Sequence, residues 1–156
     1  MKLERARKLL PVSRIRVVLE KIRILDDHEP WFKGRGDFAF TARVGFNHDQ
    51  CRRHLVHIPA DGVAKISDTP GQNDWVVDTC IYDGLVAEND AMTLNISAVE
   101  KDTFDPDDVL AGFERQFAAP PEAWPGAYRP LDQAPASDAE AMKDWMVWYR
   151  VESIPI

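Results

Sequence analysis

Apolar and polar residues alternate with a period of two along most of this chain, the signature of strands with one face buried and one in water. Asp37–Phe46 alternates cleanly, with Phe38, Phe40, Ala42, Val44 and Phe46 on the inward phase. Met92–Val99 sets Met92, Leu94, Ile96 and Ala98 against Thr93, Asn95 and Ser97. Lys143–Ile154 points Trp145, Val147, Tyr149 and Val151 inward. Arg14–Leu25 begins with Ile15, Val17 and Leu19 on one phase and continues with Ile22 and Ile24 on the other, so a bulge is expected near Glu20-Lys21. Shorter strand patterns cover His54–Ile58, Val63–Ile66, Trp75–Tyr82 and Val109–Phe117. Between them lie turn-forming clusters: Asp26–Gly36, Pro59–Gly62, Asp68–Asp74, and Asp83-Gly84 opening a connection to Met92. Met1–Leu10 reads as a short helix stopped by Pro11. Ala118–Ala141 holds five of the eleven prolines and reads as a long irregular crossing, functional or wrapped on the surface. The pattern predicts an all-β antiparallel sandwich of seven to eight strands. A single domain spanning 14–156 is expected behind a basic arm of residues 1–13.

The densest chemistry lies where the Met92–Val99 strand ends. Val99–Gly112 carries Glu100, Asp102, Asp105, Asp107 and Asp108 with Lys101 as its local cation. So many carboxylates on one short loop repel each other unless water or a cation intervenes. A hard divalent ion bound through oxygen suits them, and Ca²⁺, with its six to eight oxygen ligands, suits a flexible loop best. A second acidic loop follows the first long strand: Asp26 and Asp27 stand at its entry, and Asp37 at its exit opens the next strand.

Glu100, Asp102, Asp105 and Asp108 fall at offsets 0, 2, 5 and 8 and run into Val109-Leu110-Ala111-Gly112. This resembles the third calcium loop of the C-two family, the β-sandwich named after the second conserved region of protein kinase C. Glu in place of Asp at the first ligand position, and the extra Ala111 before Gly112, depart from the pattern. The Asp26–Gly36 loop is similar to that family's first calcium loop, though a few residues longer, so Asp26 or Asp27 serves as the entry ligand. The resemblance covers residues 14–117. It implies a metal set drawn from Asp26, Asp27, Asp37, Glu100, Asp102, Asp105 and Asp108. It also implies apolar tips, Phe104 with Trp31 and Phe32, that touch a membrane or a partner, although Trp31 also suits a packed loop anchor. The function implied is a calcium-binding module that recruits an anionic phospholipid surface or a protein. The alternative is a protein-interaction sandwich with structural calcium or no metal. Trp148, on the outward phase of its strand, leaves a carbohydrate-binding face as a third class.

Composition narrows the partners. Of the 19 Lys/Arg and 26 Asp/Glu, residues 1–23 hold eight and two, leaving 11 against 24 in the rest. An acidic body argues against nucleic acid, whose affinity comes mainly from phosphate neutralisation. The chain holds no apolar run of spanning length and no secretory pattern, so a cytoplasmic or membrane-peripheral location is expected. Cys51 and Cys80 lack metal spacing and are expected to be free, buried thiols. Asp102 onward lacks the Gly and Glu of an EF-hand, and the four histidines have no zinc-type companions. Without a nucleophile motif, a phosphate-cradling glycine loop or an acid–base pair, no enzyme activity is expected.

Overall fold

The computed structural model describes residues 12–26, 35–101, 106–131 and 140–156. The first strand, β1 (Val12–Ile24), follows the inward phase of the sequence, and Ile15, Val17, Leu19, Ile22 and Ile24 are fully buried. The phase change appears as a register shift between Leu19 and Lys21, against both neighbouring strands. A bulge at Glu20 therefore lets one strand bury two apolar phases. The strand also takes in Val12 and Ser13, which pair with Ala87 and Val86.

The remaining strands are β2 (Gly36–Phe46), β3 (Arg53–Ile58), β4 (Ala64–Ile66), β5 (Asp74–Ala87), β6 (Met92–Lys101), β7 (Asp108–Val109), β8 (Phe113–Phe117), β9 (Gly126–Tyr128) and β10 (Trp145–Ile154). The described residues thus hold ten strands, seven of them five residues or longer, where seven to eight were expected. One sheet has the order β5-β1-β10-β9. The second sheet runs β3-β2-β6-β7, with β4 also on β2 and β8 also on β6. Every pairing between these strands is antiparallel. Aromatic rings join the two sheets across the core. Phe40 meets Trp145 edge-on at 5.4 Å, Phe113 meets Tyr149 at 5.7 Å, and Phe46 meets Tyr82 at 5.0 Å. Edge-to-face rings add directional attraction to the area they bury.

Three expectations are corrected. Asp83-Gly84 is not a turn: β5 runs through it, Gly84 pairs with Ile15, and the chain turns after Ala87. A Cβ on Gly84 would lie 2.6 Å from the Tyr82 hydroxyl, so close approach of that side chain explains the glycine better than turn geometry. Val109–Phe117 is not one strand but two, both paired with β6. Val109 opposes Val99 and Phe113 opposes Ile96, so four steps on one side match three on the other. The extra residue lies in Leu110–Gly112, where Ala111 had already marked a departure. Cys51 and Cys80 are free, but both are exposed. Their strand and turn positions face water rather than the core.

The crossing from residue 118 carries order of its own. A short 3-10 turn spans Pro121–Ala123, and β9 adds to β10 with Tyr128 stacked on Tyr149 at 4.9 Å. The buried Trp124 indole donates to the Ala118 carbonyl at 2.7 Å, and the Tyr128 hydroxyl donates to the Trp124 carbonyl at 2.6 Å. Glu140, also buried, accepts from Arg115 and from the Tyr149 hydroxyl. Burial beside the Glu140 carboxylate raises the Tyr149 phenol far above its ordinary range.

Candidate functional site

Both acidic loops open at one end of the sandwich, and the strand register accounts for it. At that end β1 finishes opposite the start of β10, with Ile24 facing Trp145. There too β2 begins as β6 finishes, with Asp37 facing Lys101. Asp144 ties the two sheets together. Its carbonyl accepts from the backbone N–H groups of Leu25 at 2.8 Å and Asp26 at 3.1 Å, while its carboxylate Oδ2 accepts from Ala111 N–H at 3.4 Å. Next to it the buried Trp145 indole donates to the Ala111 carbonyl at 2.7 Å. The backbone groups freed by the extra residue near Ala111 are thus satisfied by the start of β10. Buried backbone groups must find partners, and a bulge needs such a substitute.

Four of the carboxylates nominated from sequence lie among the described residues. Asp26 is exposed just past β1, and Asp37 sits near the start of β2 on the outward face. Glu100 is 1% exposed on the inward face of β6, opposite Phe38 on one side and Asp108 on the other. Asp108 is exposed on β7. Asp37 and Glu100 thus reach the same end from opposite faces of one sheet. Asp27, Asp102 and Asp105, and the proposed tips Trp31, Phe32 and Phe104, lie outside the described residues. Among the described residues no three His, Cys, Asp or Glu side chains are grouped closely enough to hold a metal ion. The donor chemistry, all carboxylate oxygen, fits a hard cation.

One of these acids, Asp37, and the neighbouring Asp107 are already matched by lysines. Lys65 Nζ lies 3.4 Å from Asp37 Oδ1, and Lys101 Nζ lies 3.0 Å from Asp107 Oδ2. Below this row the outer face of the second sheet holds a hollow of about 360 Å³, lined by Thr41, His57, Asp61, Ser97 and Lys101 among others. Sequence reasoning passed over Asp144, because nothing in the spacing of Lys143–Ile154 separates a loop-tying acid from a strand leader. It counted Asp107 as loop charge without giving it a ligand role.

Other acids are engaged by arginines. Asp83 lies toward the opposite end of β1, bridged by Arg14 at 2.9 Å and Arg16 at 3.3 Å, rather than beside the acidic loops. Hydrogen bonding from Arg14 holds its carboxyl below the usual range. Asp74, at the start of β5, is held low mainly by its hydrogen bond from Arg23. On the same outer face, Lys21 Nζ sits 4.1 Å above the Trp148 ring and the Arg23 guanidinium 5.0 Å from it. Two cations therefore stand against the Trp148 indole.

This architecture is an antiparallel β-sandwich of two sheets, established by its strand pairing. Two solved structures are similar to it. One is the C-two A domain of plant extended synaptotagmin 1, 8% identical, with a TM-score of 0.46, covering 94% of this chain and 97% of that one. The other is a C-two domain, 14% identical, with a TM-score of 0.40, covering 90% of this chain and 97% of that one. No protein-family model matches the chain, and no curated protein does. Among the described residues no helix is long and apolar enough to cross a membrane.

Proposed function

We propose that this chain is a calcium-dependent binding module whose acidic end takes up Ca²⁺ and then recruits an anionic surface. The supporting observation is the convergence of Asp26, Asp37, Glu100, Asp107, Asp108 and Asp144 on one end from separate elements, with lysine ammonium groups already standing against two of them. Asp37, Asp108 and Asp26 are the described residues that would hold the ion, together with Asp27, Asp102 and Asp105 from the loops. Glu100, buried beneath, would shape the floor of the site. Bound calcium supplies positive charge, turning a rim that repels phosphate into one that attracts it.

Calorimetric titration of chelator-treated protein with CaCl₂, alongside thermal melts with and without chelator, tests this reading. Saturable heat and a raised melting midpoint are expected, since a ligand of the native state stabilises by about 2.7 kcal/mol at a hundredfold excess over Kd. Asp37→Asn should weaken the binding and leave the chelated fold intact. No heat and no shift at millimolar Ca²⁺ would remove calcium from the account. Co-sedimentation then identifies the surface: vesicles with phosphatidylserine should carry the protein down only with calcium, and phosphatidylcholine vesicles should not. Calcium binding without sedimentation would point to a protein partner.

A further inference from the structure

The strand β3 lies at the margin of the second sheet, with β2 on one side and, among the described residues, no strand on the other. An open edge presents a row of backbone N–H and C=O groups to any strand that can pair with it. Its register with β2 runs unbroken through six pairs, so the edge stays regular for roughly 20 Å. The long β5, at the margin of the first sheet, is built differently. Its register against β1 shifts twice, and Asp78 takes a left-handed backbone with φ of 43°. Irregularities of that kind keep an edge from being paired, and β3 has none.

The side chains along β3 define what would fit there. Cross-strand partners share a face. Arg53, Leu55 and His57 oppose Gly45, Arg43 and Thr41 on the outward phase of β2, so all three stand on the outer face, with Leu55 51% exposed. Arg53 lines a hollow of about 320 Å³ together with Arg43, Asp49 and Glu114, and His57 lines the hollow of about 360 Å³. Asp49 is already spent on the turn before β3, where its carboxylate accepts from Cys51 N–H at 2.9 Å. Arg14, Arg16, Arg23, Arg52, Arg115 and Arg150 are each matched to a carboxylate. Among the described residues Arg53 has no carboxylate within ion-pair distance. His57 Nδ1 lies 3.4 Å from the Thr41 hydroxyl, which leaves Nε2 as a donor. In a chain of net charge −7, β3 reads Arg-His-Leu-Val-His-Ile, without an acid.

We propose that β3 is the acceptor edge for an extended acidic peptide, which adds to the sheet as a further strand and sets carboxylates against Arg53 and His57. In this mode main-chain hydrogen bonds supply affinity and alternate side chains supply selectivity. Residues two apart share a face, so the register dictates the peptide's pattern: an acid, any residue, an apolar residue beside Leu55, any residue, an acid. A second copy of this chain fits the edge poorly. Two β3 strands pairing antiparallel about Leu55 would set Arg53 opposite His57, with no carboxylate across from either. The inference does not rest on the calcium reading.

The test titrates chelator-treated, isotope-labelled protein with acetyl-Thr-Glu-Thr-Val-Thr-Glu-Thr-amide and follows the backbone amides by NMR. Saturable shifts centred on residues 53–58 are expected, with slower hydrogen exchange there. A peptide with Lys in place of both Glu should bind more weakly. Arg53→Glu should weaken the Glu peptide by about two- to tenfold and reverse the preference between the two. Two N-methylated Glu peptides, one methylated on the Glu and Val phase and one on the Thr phase, report on the main chain. One should lose binding and the other keep it, because alternate N–H groups face β3. Binding that survives methylation on both phases would show side-chain contact without strand pairing and would overturn the proposal. So would the absence of shifts at millimolar peptide. If the β3 amides instead move with protein concentration alone, or with phosphatidylserine vesicles in chelator, while the peptide leaves them still, the occupant is a second copy or a lipid surface and the proposal falls.

Discussion

Asp90 shows how much one side chain can carry at the edge of a sandwich. It is 3% exposed, accepts from Arg52 at 2.8 and 2.9 Å and from Asn47 at 2.7 Å, and caps the turn through Ala87 N–H at 2.8 Å. The hydrogen bonds from Arg52 lead the causes that lower its carboxyl to about 2. A group depressed in the folded state stabilises above its unfolded value near 4 and loses that contribution as pH falls toward its folded value. Urea unfolding at pH 6 and at pH 2.5 should therefore show Asp90 supplying about 2 kcal/mol at the higher pH and much less at the lower. Asp90→Ala should flatten that part of the profile and lower stability at pH 6. An unchanged profile would show that the pair contributes nothing. Gly84 is the counterpart on the steric side. With the Tyr82 hydroxyl 2.6 Å from where its Cβ would stand, Gly84→Ala should cost about 1–3 kcal/mol by overpacking, read as a lower denaturation midpoint.

At the scale of the element, the junction between β7 and β8 links fold to site. One residue more than β6 requires is inserted between Val109 and Phe113, and Trp145 and Asp144 receive the backbone groups it frees. Trp145→Phe keeps most of the buried ring but leaves the Ala111 carbonyl without its donor. That should cost about 1–3 kcal/mol. It should also loosen the acidic turn and weaken calcium binding, which calorimetry on the variant would show. Unaltered affinity at lowered stability would separate the junction from the site. The alternating strands were legible in the sequence because inward positions must be apolar whatever their partner, and Phe38 through Phe46 bear this out. The split after Val109 was not legible, since a bulge depends on the partner strand's length. The Asp83-Gly84 pair misled for a similar reason: turn chemistry and close packing under an aromatic ring both select glycine.

For the molecule as a whole, a net charge of −7 works against compactness. The described outer face of the first sheet offsets this locally with a band of arginine–carboxylate pairs that includes Arg150 with Glu20 and Glu152. Raising NaCl from about 10 mM to 0.5 M in chelator should therefore raise the melting midpoint through screening of the acidic end. Calcium should produce a larger rise at far lower concentration. A midpoint that fell with salt would show that the paired charges outweigh the repulsion.

Pattern and composition alone determined that this chain is a β-sandwich, that its first strand bulges at Glu20, and that its acids gather in two loops. Those features follow from local rules: what a buried face must contain, and how like charges crowd within a short stretch. The tertiary structure decided which residues meet. It brought Asp144 from the far end of the chain to organise the acidic end, turned Glu100 inward while Asp37 faces out, and set Lys65 and Lys101 on either side of Asp37. No spacing rule reaches across those separations, because register between strands distant in sequence is fixed by the packing of the whole core.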